Sequence, residues 1–491
     1  MRPQVKNQFV RDNLITIVSH SLIAIKGFLL IPVIIKFAGV QLYGSIILLQ
    51  SLLGFLFGIS SFGIGIKMRR HLPSEKNALK RSELFYKQFI FRLLSILLII
   101  IISIIFGDII KNILFNDGIE YSNFIISFFL ITTFFFAQTT DYFRYTSRIS
   151  KMSIMTLISP AIYIVMVLFL TNLRMLSINS IIGAQSLSLL IVSFPGFIVI
   201  LKENKFRLFR FFKNIYSEIQ VGLPLVINFV MDFVLAGIDR YIIAIFFSVA
   251  FVGYYNVGYQ LGSLILILPK AMGTVLPQLM SKSIDKERVN EAISMFSSSI
   301  KLYLFISIPF CFGSLVLGMP ILNFISNQEV ASNARFVFPL VALGSVFFGL
   351  SIIISDVLLV FYKTKKILKI NLIGAIFNIL SNIILLYFFK SISAAAITTF
   401  FSYLILYVFS NKILKHIWNT KIDNIFVLKS IFSSLFMTLI ISLVSKILDP
   451  ISNNYFLLLE IILGIFSYFF LMFVLRAISI SDILRLKNVI Q

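Results

Sequence analysis

Long apolar runs alternate with short polar segments along the whole chain. A helix needs about 20 apolar residues to cross a bilayer. Runs of that kind lie near 13–36, 43–66, 88–106, 122–140, 154–171, 180–201, 219–247, 253–275, 302–325, 336–361, 370–388, 394–411, 426–447 and 455–475. They are too long and too evenly apolar for the strands of a membrane barrel. The pattern therefore predicts an all-α integral membrane protein with about fourteen transmembrane helices.

The placement of Lys and Arg predicts the orientation of these helices. If the N-terminus is cytoplasmic, each segment on the cytoplasmic side holds three or more Lys and Arg residues, whereas each outside loop holds at most one. Cytoplasmic loops of membrane proteins carry such an excess of cations. We therefore expect both termini in the cytoplasm, an even number of spans, and a multi-pass protein of the cytoplasmic (inner) membrane.

Composition narrows the class of function. Hydrophobic residues make up 59% of the chain and charged residues 13%, against roughly 25% charged in soluble domains. A net charge of +23 would suggest nucleic acid in a soluble protein, but these cations lie between apolar runs, where they meet anionic lipid headgroups. The sequence predicts membrane lipids as partners and no nucleic acid. The loops leave no room for a soluble catalytic domain, so the chain is expected to be a transporter and not an enzyme.

Motifs for metals and cofactors are missing from the sequence. Cys311 is the only cysteine, and His20, His71 and His416 are scattered, so neither a disulfide framework nor a metal site is predicted. The sequence contains no Walker motif, no Gly-rich phosphate loop and no nucleophile elbow. We expect no cofactor, and no ATP-driven transport by this chain alone.

Two helix junctions indicate an internal repeat. The segment GVQLYG (39–44) joins the first two predicted helices, and AFVGYY (250–255) joins the seventh and eighth. Six helices per repeat would give parallel repeats with a cavity between them. The predicted organisation is an N-terminal six-helix lobe (1–218), a C-terminal six-helix lobe (219–425), and two additional helices with a cytoplasmic tail (426–491).

Polar side chains within the apolar runs are the candidates for chemistry. Charged groups inside a membrane are costly and usually face a partner or a water-filled cavity. At 100° per residue, the polar positions of the seventh predicted helix fall within about 40° of one another, and those of the eighth within roughly 80°. The seventh helix carries Asn228, Asp232 and Asp239, the eighth carries Asn256, Gln260, Ser263 and Lys270 with Tyr259 beside them, and the first carries Lys26.

Two interpretations of these positions stay open. Polar side chains commonly stitch membrane helices together, which would suffice for the Asn and Ser residues. Lys26 and Asp232 lie too deep to reach the interface easily, which favours a cavity. Arg240 with Asp239 could form a local ion pair or meet headgroups, and Lys270 could extend to the inner interface. Arg92 and Asp356, near inner helix ends, are interpreted as structural.

Four short segments carry a resemblance to a known family. They are GLPL (222–225), DRYII (239–243), VGYYNVGY (252–259) and PQL (277–279). The stretches LYG (42–44) and FGIG (62–65), followed by Lys67, Arg69 and Arg70, are similar to the matching first-half signature. In order and spacing the set resembles the polysaccharide-unit (O-antigen) flippases of the multidrug/oligosaccharidyl-lipid/polysaccharide exporter superfamily.

The resemblance implies a function and roles for particular residues. Such flippases move a polyprenyl-pyrophosphate-linked oligosaccharide between leaflets by alternating access, coupled to H+ or Na+. Buried cations would offset the desolvation of the pyrophosphate, so the substrate-binding candidates are Lys26, Arg240, Asn256, Tyr259, Gln260 and Lys270. A carboxylate can cycle between charged and neutral forms, so the ion-coupling candidates are Asp232 and Asp239. A monomer is implied, with other polysaccharide-assembly proteins as further partners.

Three other functions fit parts of the pattern. A flippase for another lipid-linked cargo, such as lipid II, or a related exporter shares the superfamily. A membrane glycan polymerase or ligase would need a sizeable outer loop with Arg and His residues, which the outer loops here do not provide. A non-transporting scaffold would not need charges at mid-depth in its helices.

Overall fold

The computed structural model describes the backbone of residues 3–63, 65, 68, 72, 75, 77–115, 121–146, 148–206, 215–273, 275–418, 423–448 and 454–477. Side chains are described from residue 26 onward, except at 215–218, 221 and 454. The first-half cations Lys67, Arg69 and Arg70, and residues 478–491 of the predicted cytoplasmic tail, lie outside the described residues.

Helices make up nearly all of the described chain, which contains no strand. The first part holds α1 (Pro3–Ile59), α2 (Ala78–Ile105), α3 (Gly107–Leu114), α4 (Asn123–Tyr145), α5 (Ile149–Asn172), α6 (Ile178–Glu203) and α7 (Ile215–Phe246). Then follow α8 (Val249–Gly262), a short 3-10 helix (Leu264–Leu266), α9 (Ile267–Met272), α10 (Leu276–Asp285), α11 (Val289–Ile325) and α12 (Gln328–Asn333). The last are α13 (Val337–Val360), α14 (Thr364–Phe389), α15 (Ile392–Lys415), α16 (Asn424–Leu448) and α17 (Asn454–Val474).

The chain forms two compact units, Met1–Gly253 (unit 1) and Tyr254–Gln491 (unit 2). In unit 1, α4 packs on α6, and α1 packs on both α5 and α7. In unit 2, α13 packs between α15 and α11, and α16 joins α11 and α17. Because α13 lies inside this bundle, 72% of its most apolar stretch is buried. The division into two lobes and two additional helices stays a prediction.

Twelve helices of the described residues are long and apolar enough to cross a membrane. Large apolar side chains on their outer faces are exposed, for example Leu98 and Ile105 on α2 and Phe466 on α17. A band of exposed apolar side chains of this extent is what lipid, and not water, solvates. The chain is therefore a multi-pass membrane protein. The number fourteen and the cytoplasmic termini stay predictions.

Helix boundaries differ from those expected, because apolar runs mark only the part of a helix that lies in lipid. The polar stretch before the third predicted span is already helical, since α2 begins at Ala78, where the Asn77 side chain accepts hydrogen bonds from two backbone amides. Likewise α11 begins at Val289, well before its apolar run. The short helices α3 and α10 lie in segments expected to be loops.

The backbone is interrupted at two places within or between the predicted spans. The first two predicted helices follow each other within α1 and are separated by a kink at Gly39, with φ +85°, a conformation that glycine adopts without strain. The predicted eighth span, 253–275, is not one continuous helix, since α8 ends at Gly262 and a 3-10 turn and the short α9 follow. Pro269 has no N–H to donate to the carbonyl four residues earlier, which loosens the helix at this point.

Glycines of the two repeat-like junctions allow close backbone contact inside unit 1. A Cβ on Gly44 would collide with the carbonyl oxygen of Val249, and one on Gly253 would lie 2.6 Å from the carbonyl oxygen of Val40. Gly63 and Gly222 are in similar contact, since a Cβ on Gly222 would lie 2.6 Å from the Gly63 backbone. The motif glycines therefore act as contact points between α1 and the α7–α8 region.

Candidate functional site

Lys26 belongs to a polar cluster inside unit 1. Its ammonium lies 5.0 Å from the centroid of the Tyr163 ring on α5, within the range of a cation–π contact. The Tyr163 hydroxyl lies beside the Gln50 side chain, and Gln50 Nε2 donates to Gln185 Oε1 at 2.6 Å. We call these four residues the Lys26 cluster. It joins both segments of α1 to α5 and α6 through one chain of polar contacts.

Gln50, Tyr163 and Gln185 were missed by sequence reasoning. Each lies in a largely apolar run, far from the others along the chain, so no spacing connects them. A signal for Gln185 exists in the stretch AQSLS (184–188), where small and polar residues cluster. For Gln50 and Tyr163 we find no sequence signal.

Arg240 lies on α7, on the side that faces α1. Its Nη1 donates to the carbonyl oxygen of Ala236 at 3.3 Å. The neighbouring Tyr241 hydroxyl donates to the carbonyl oxygen of Leu48 at 3.4 Å and lies near Ser51. The second segment of α1 thus contacts α6 through Gln50 and α7 through Leu48.

The carboxylates of α7 lie in different environments. Asp232 is exposed and accepts a hydrogen bond from Asn228 Nδ2 at 3.1 Å. Asp239 is buried, with 1% of its surface exposed. The polar stripe predicted on this helix therefore contains one carboxylate that solvent can reach and one that it cannot.

The candidates of unit 2 occupy a tyrosine-rich interior and its edge. Asn256 is 1% exposed, and the Tyr259 hydroxyl lies 3.0 Å from the Tyr403 hydroxyl. Gln260 is half-buried and Lys270 is exposed. Asn256 and Tyr259 thus lie within the packed interior, whereas Gln260 and Lys270 are accessible.

Two charged residues not chosen from the sequence form a pair in unit 1. Arg92 Nη1 on α2 lies 3.5 Å from Asp141 Oδ2 on α4, and the Arg92 guanidinium lies 4.6 Å from the centroid of the Phe57 ring. They line a cavity of about 270 Å³. The sequence analysis interprets Arg92 as structural. No sequence pattern connects it with Asp141, because 49 residues separate them.

Ion pairs also tie the polar ends of the helices together. In unit 1, Arg148 Nη1 lies 2.6 Å from Glu203 Oε1, and Glu203 Oε2 accepts from the Tyr142 hydroxyl at 2.9 Å. The hydrogen bond to Glu203 raises the pKa of Arg148. In unit 2, Lys301 Nζ lies 2.8 Å from Asp423 Oδ2, and this contact lowers the pKa of Asp423.

Groups of side chains suited to a metal are absent from the part of the chain that the structure describes. What the geometry offers is a set of cations and polar groups inside membrane-crossing helices. Lys26 and Arg240 could hold an anionic group, since charge-assisted bonds are strong where water is scarce. Asp232 and Asp239 could take up a proton or a monovalent cation.

Comparison with family models and curated proteins places the chain among glycan-assembly proteins. Residues 9–280 match the model described as polysaccharide biosynthesis protein, and residues 224–384 match the MatE model. An uncharacterized membrane protein of Methanocaldococcus jannaschii is 24% identical over 64% of this chain and 63% of its own length. The probable low-salt glycan biosynthesis flippase Agl15 of Haloferax volcanii is 24% identical over 38% of this chain and 39% of its own length. The matches thus span less than two thirds of either relative.

Solved structures share the fold. The lipid II flippase MurJ in an inward closed conformation superposes with a TM-score of 0.73 at 20% identity, over 92% of this chain and 97% of that one. An inward-facing multidrug resistance MATE family transporter of the MOP superfamily gives a TM-score of 0.63 at 10% identity, over 84% and 99%. Because the family model covers more than half of the residues, this chain belongs to the polysaccharide biosynthesis protein family, among the flippases of the multidrug/oligosaccharidyl-lipid/polysaccharide exporter superfamily.

Proposed function

We propose that this flippase moves a polyprenyl-pyrophosphate-linked oligosaccharide across the cytoplasmic membrane by ion-coupled alternating access. The family assignment and the likeness to the probable glycan flippase Agl15 support a glycan lipid as cargo. Delivery of an O-antigen or other polysaccharide repeat unit, a monomeric state and contacts with other polysaccharide-assembly proteins belong to the same proposal.

The observation that carries the proposal is the Lys26 cluster. A lysine within a membrane span is costly unless a partner or a ligand compensates it. Here the partners are a Tyr163 ring face and neutral amides, and no acidic partner of Lys26 is seen among the described residues. Since the ammonium keeps donors for an anion, it suits a pyrophosphate that must leave water.

The other candidates receive roles within the same proposal. Arg240 supplies a second cation in unit 1. In unit 2, Asn256, Tyr259, Gln260 and Lys270 are proposed to contact the cargo, since amide and hydroxyl groups bond readily to sugar hydroxyls. Asp232 and Asp239 are proposed to carry the coupling H+ or Na+, because a carboxylate can change charge as access alternates.

Lipid II is the second candidate cargo. The observation in its favour is the TM-score of 0.73 with the lipid II flippase MurJ over 92% of this chain. Both cargoes present a polyprenyl pyrophosphate, so the Lys26 cluster suits either. They differ in the sugars, and the test must therefore vary the sugars.

The test uses purified protein in liposomes with two fluorescent cargoes, a polyprenyl-pyrophosphate oligosaccharide and lipid II. An external reducing reagent reports how fast the labelled headgroup reaches the outer leaflet. We expect wild type to move the oligosaccharide lipid and Lys26→Ala to be at least about tenfold slower, the equivalent of about 1.4 kcal/mol. Lys26→Arg, which keeps the cation, should retain part of the rate.

The matched control is Lys36→Ala, because Lys36 is an exposed lysine on the same helix and should transport like wild type. Equal transport by Lys26→Ala at the same protein level would remove the main support for the proposal. Movement of lipid II alone would assign the cargo to the second candidate. Complementation of cells that lack their own repeat-unit flippase then checks the result in a membrane that assembles glycans.

A further inference from the structure

The Arg92 cavity is a compact pocket inside unit 1. We define it by its polar lining, Gln88, Arg92, Asp141, Ser61, Gly63 and Gly65, and by an aromatic side that includes Phe91, Tyr145 and Phe229. Its volume of about 270 Å³ lies just below the range typical of small-molecule sites, which begins near 300 Å³. The pocket is therefore large enough for one small ring and too small for an oligosaccharide.

Two buried polar atoms at this pocket have no hydrogen-bond partner among the described residues. Arg92 is 9% exposed and Gln88 is 6% exposed, yet neither Arg92 Nε nor Gln88 Oε1 bonds to a described residue. Buried polar groups are nearly always bonded, so each such atom calls for an explanation. A ligand that bonds to both atoms must accept a hydrogen bond from Arg92 Nε and donate one to Gln88 Oε1. Hydroxyl groups can both accept and donate hydrogen bonds.

The described lining of the pocket holds one guanidinium and one carboxylate, a balance that favours a neutral ligand over an anion. The Arg92 guanidinium is paired with Asp141, which is also part of the lining. An added anion would face this carboxylate as well as the guanidinium, and like charges at close range are unfavourable. The Lys26 cluster has no acidic member among its four residues, so the two places differ in the charge that they suit.

The aromatic side completes the match to a sugar. Phe91, Phe229 and Tyr145 contribute aromatic rings to the lining, and Tyr145 also carries a hydroxyl. Ligand sites are typically lined by aromatic side chains with a few polar groups that fix orientation. A pyranose ring has apolar C–H faces and a rim of hydroxyls, so it presents both surfaces that this pocket offers.

We propose that the Arg92 cavity is a subsite for one sugar ring of the cargo, with Arg92 Nε donating to one hydroxyl and Gln88 Oε1 accepting from another. This inference rests on the proposed function, since it supplies the sugar recognition that the Lys26 cluster cannot. The subsite makes transport depend on the glycan as well as on the pyrophosphate.

The first test compares two cargoes in the liposome assay: bare polyprenyl pyrophosphate, and the same lipid with a single attached sugar. Gln88→Met keeps the length of the side chain and removes the acceptor. Arg92→Lys keeps a cation for Asp141 and removes Nε. Each variant should slow the sugar-bearing lipid by about fivefold, the effect of losing one hydrogen bond, and leave the bare lipid unchanged. Equal slowing of both lipids, or of neither, would overturn the subsite.

A labelling experiment gives a readout that does not need transport. In a Cys311→Ser background, Ser61→Cys places the only thiol on the pocket lining, and N-ethylmaleimide reports its accessibility. We expect the sugar-bearing lipid to slow labelling, and neither bare polyprenyl pyrophosphate nor inorganic pyrophosphate to do so. Protection by inorganic pyrophosphate, or no protection by any of the three, would contradict the subsite.

Failures of the two proposals remain distinguishable. Wild-type protein that moves the lipid but shows no protection at Ser61→Cys refutes the sugar subsite alone. Protein that moves neither lipid, while the sugar-bearing lipid still protects the thiol, refutes the proposed function and keeps the subsite.

Discussion

The two compact units bury different ionisable side chains. Unit 1 holds both signs: Arg92 is buried in a pair with Asp141, Asp239 is buried, and Lys26 and Arg240 are half-buried within the helices. In unit 2, the charged side chains that are buried among the described residues are the carboxyls Asp356 and Glu460. Under the proposed function, the anionic part of a lipid-linked cargo is expected to meet its compensating charge in unit 1.

The neutral polar groups show a second difference. Unit 2 fills its interior with amides and hydroxyls that bond to one another, such as Asn382 Nδ2 donating to the carbonyl oxygen of Asn378 at 3.0 Å and Ser351 meeting Ser410 at 3.2 Å. Such bonds hold membrane helices together. These neutral bonds of unit 2 therefore have a packing role, and the groups proposed to contact the cargo there are the separate set Asn256, Tyr259, Gln260 and Lys270.

The largest expected effect is a loss of ion-coupled transport, and it should differ between the buried carboxyls of the two units. Asp239 in unit 1 and Asp356 in unit 2 are 1% and 7% exposed. If coupling depends on unit 1, Asp239→Asn should reduce gradient-driven transport at least about tenfold, because the amide cannot change charge. Asp356→Asn should stay close to wild type. Transport with and without an imposed H+ or Na+ gradient measures both.

The opposite result would contradict the difference drawn between the two units. A loss of coupling in Asp356→Asn, with Asp239→Asn unaffected, would assign the coupling ion to unit 2. Asp232→Asn extends the series, since its carboxylate is exposed and bonded to Asn228.

A smaller effect concerns the polar end of unit 1. Glu203 accepts from both Arg148 and Tyr142, so Glu203→Gln leaves the guanidinium with a weaker partner. We expect a loss of about 1–3 kcal/mol in the free energy of unfolding, measured as a lower midpoint of thermal unfolding in detergent. Glu83→Gln, at an exposed glutamate on α2, is the control. Equal midpoints for the two variants would show that the network does not stabilise unit 1.

Much of the fold could be predicted from sequence, because the bilayer imposes the length and polarity of its helices. The places where prediction failed have local causes. The break after Gly262 depends on Pro269 and on packing, and the early start of α11 at Val289 lies outside the apolar run. Neither feature can be detected from the apolar runs of the sequence, because these runs report only which residues face lipid.

The candidate site was less predictable. Lys26 was found because a lone cation in an apolar run is conspicuous. Gln50 and Gln185 were not found, since their place in the cluster depends on a contact between residues 135 positions apart in the sequence. The same holds for Arg92 and Asp141. Contacts between helices far apart in the chain are set by tertiary packing, which a single sequence does not display.

The buried carboxyl of Glu460 on α17 is expected to lower the stability of unit 2. Glu460 is fully buried, and the nearby Ser445 hydroxyl donates to the carbonyl oxygen of Ile441. Neither carboxyl oxygen of Glu460 accepts a hydrogen bond from a residue that the structure describes. Because an unpartnered buried polar group is unfavourable, Glu460→Met should raise the free energy of unfolding by about 1 kcal/mol. Glu460→Gln should change it less. A clear loss of stability in Glu460→Met would show that this carboxyl has a stabilising contact.

The smallest expected effect concerns the Lys301–Asp423 pair of unit 2, the counterpart of the Arg148–Glu203 pair. Its side chains are 48% and 39% exposed, and exposed pairs contribute only about 0.2–1 kcal/mol. Since Lys301 lowers the pKa of Asp423, the contribution is fully present above the ordinary Asp pKa of about 3.9 and is lost as pH falls through the lowered value. Asp423→Asn should therefore differ slightly from wild type at pH 7, and the difference should be smaller at pH 3.

Unfolding midpoints at the two pH values measure this, with Asp285→Asn, at an exposed aspartate on α10, as the control. A loss at pH 7 as large as that of Glu203→Gln would mean that both units depend equally on ion pairs at their helix ends. The difference between the units would then be confined to the charges inside the membrane helices, which is where the proposed transport function needs it.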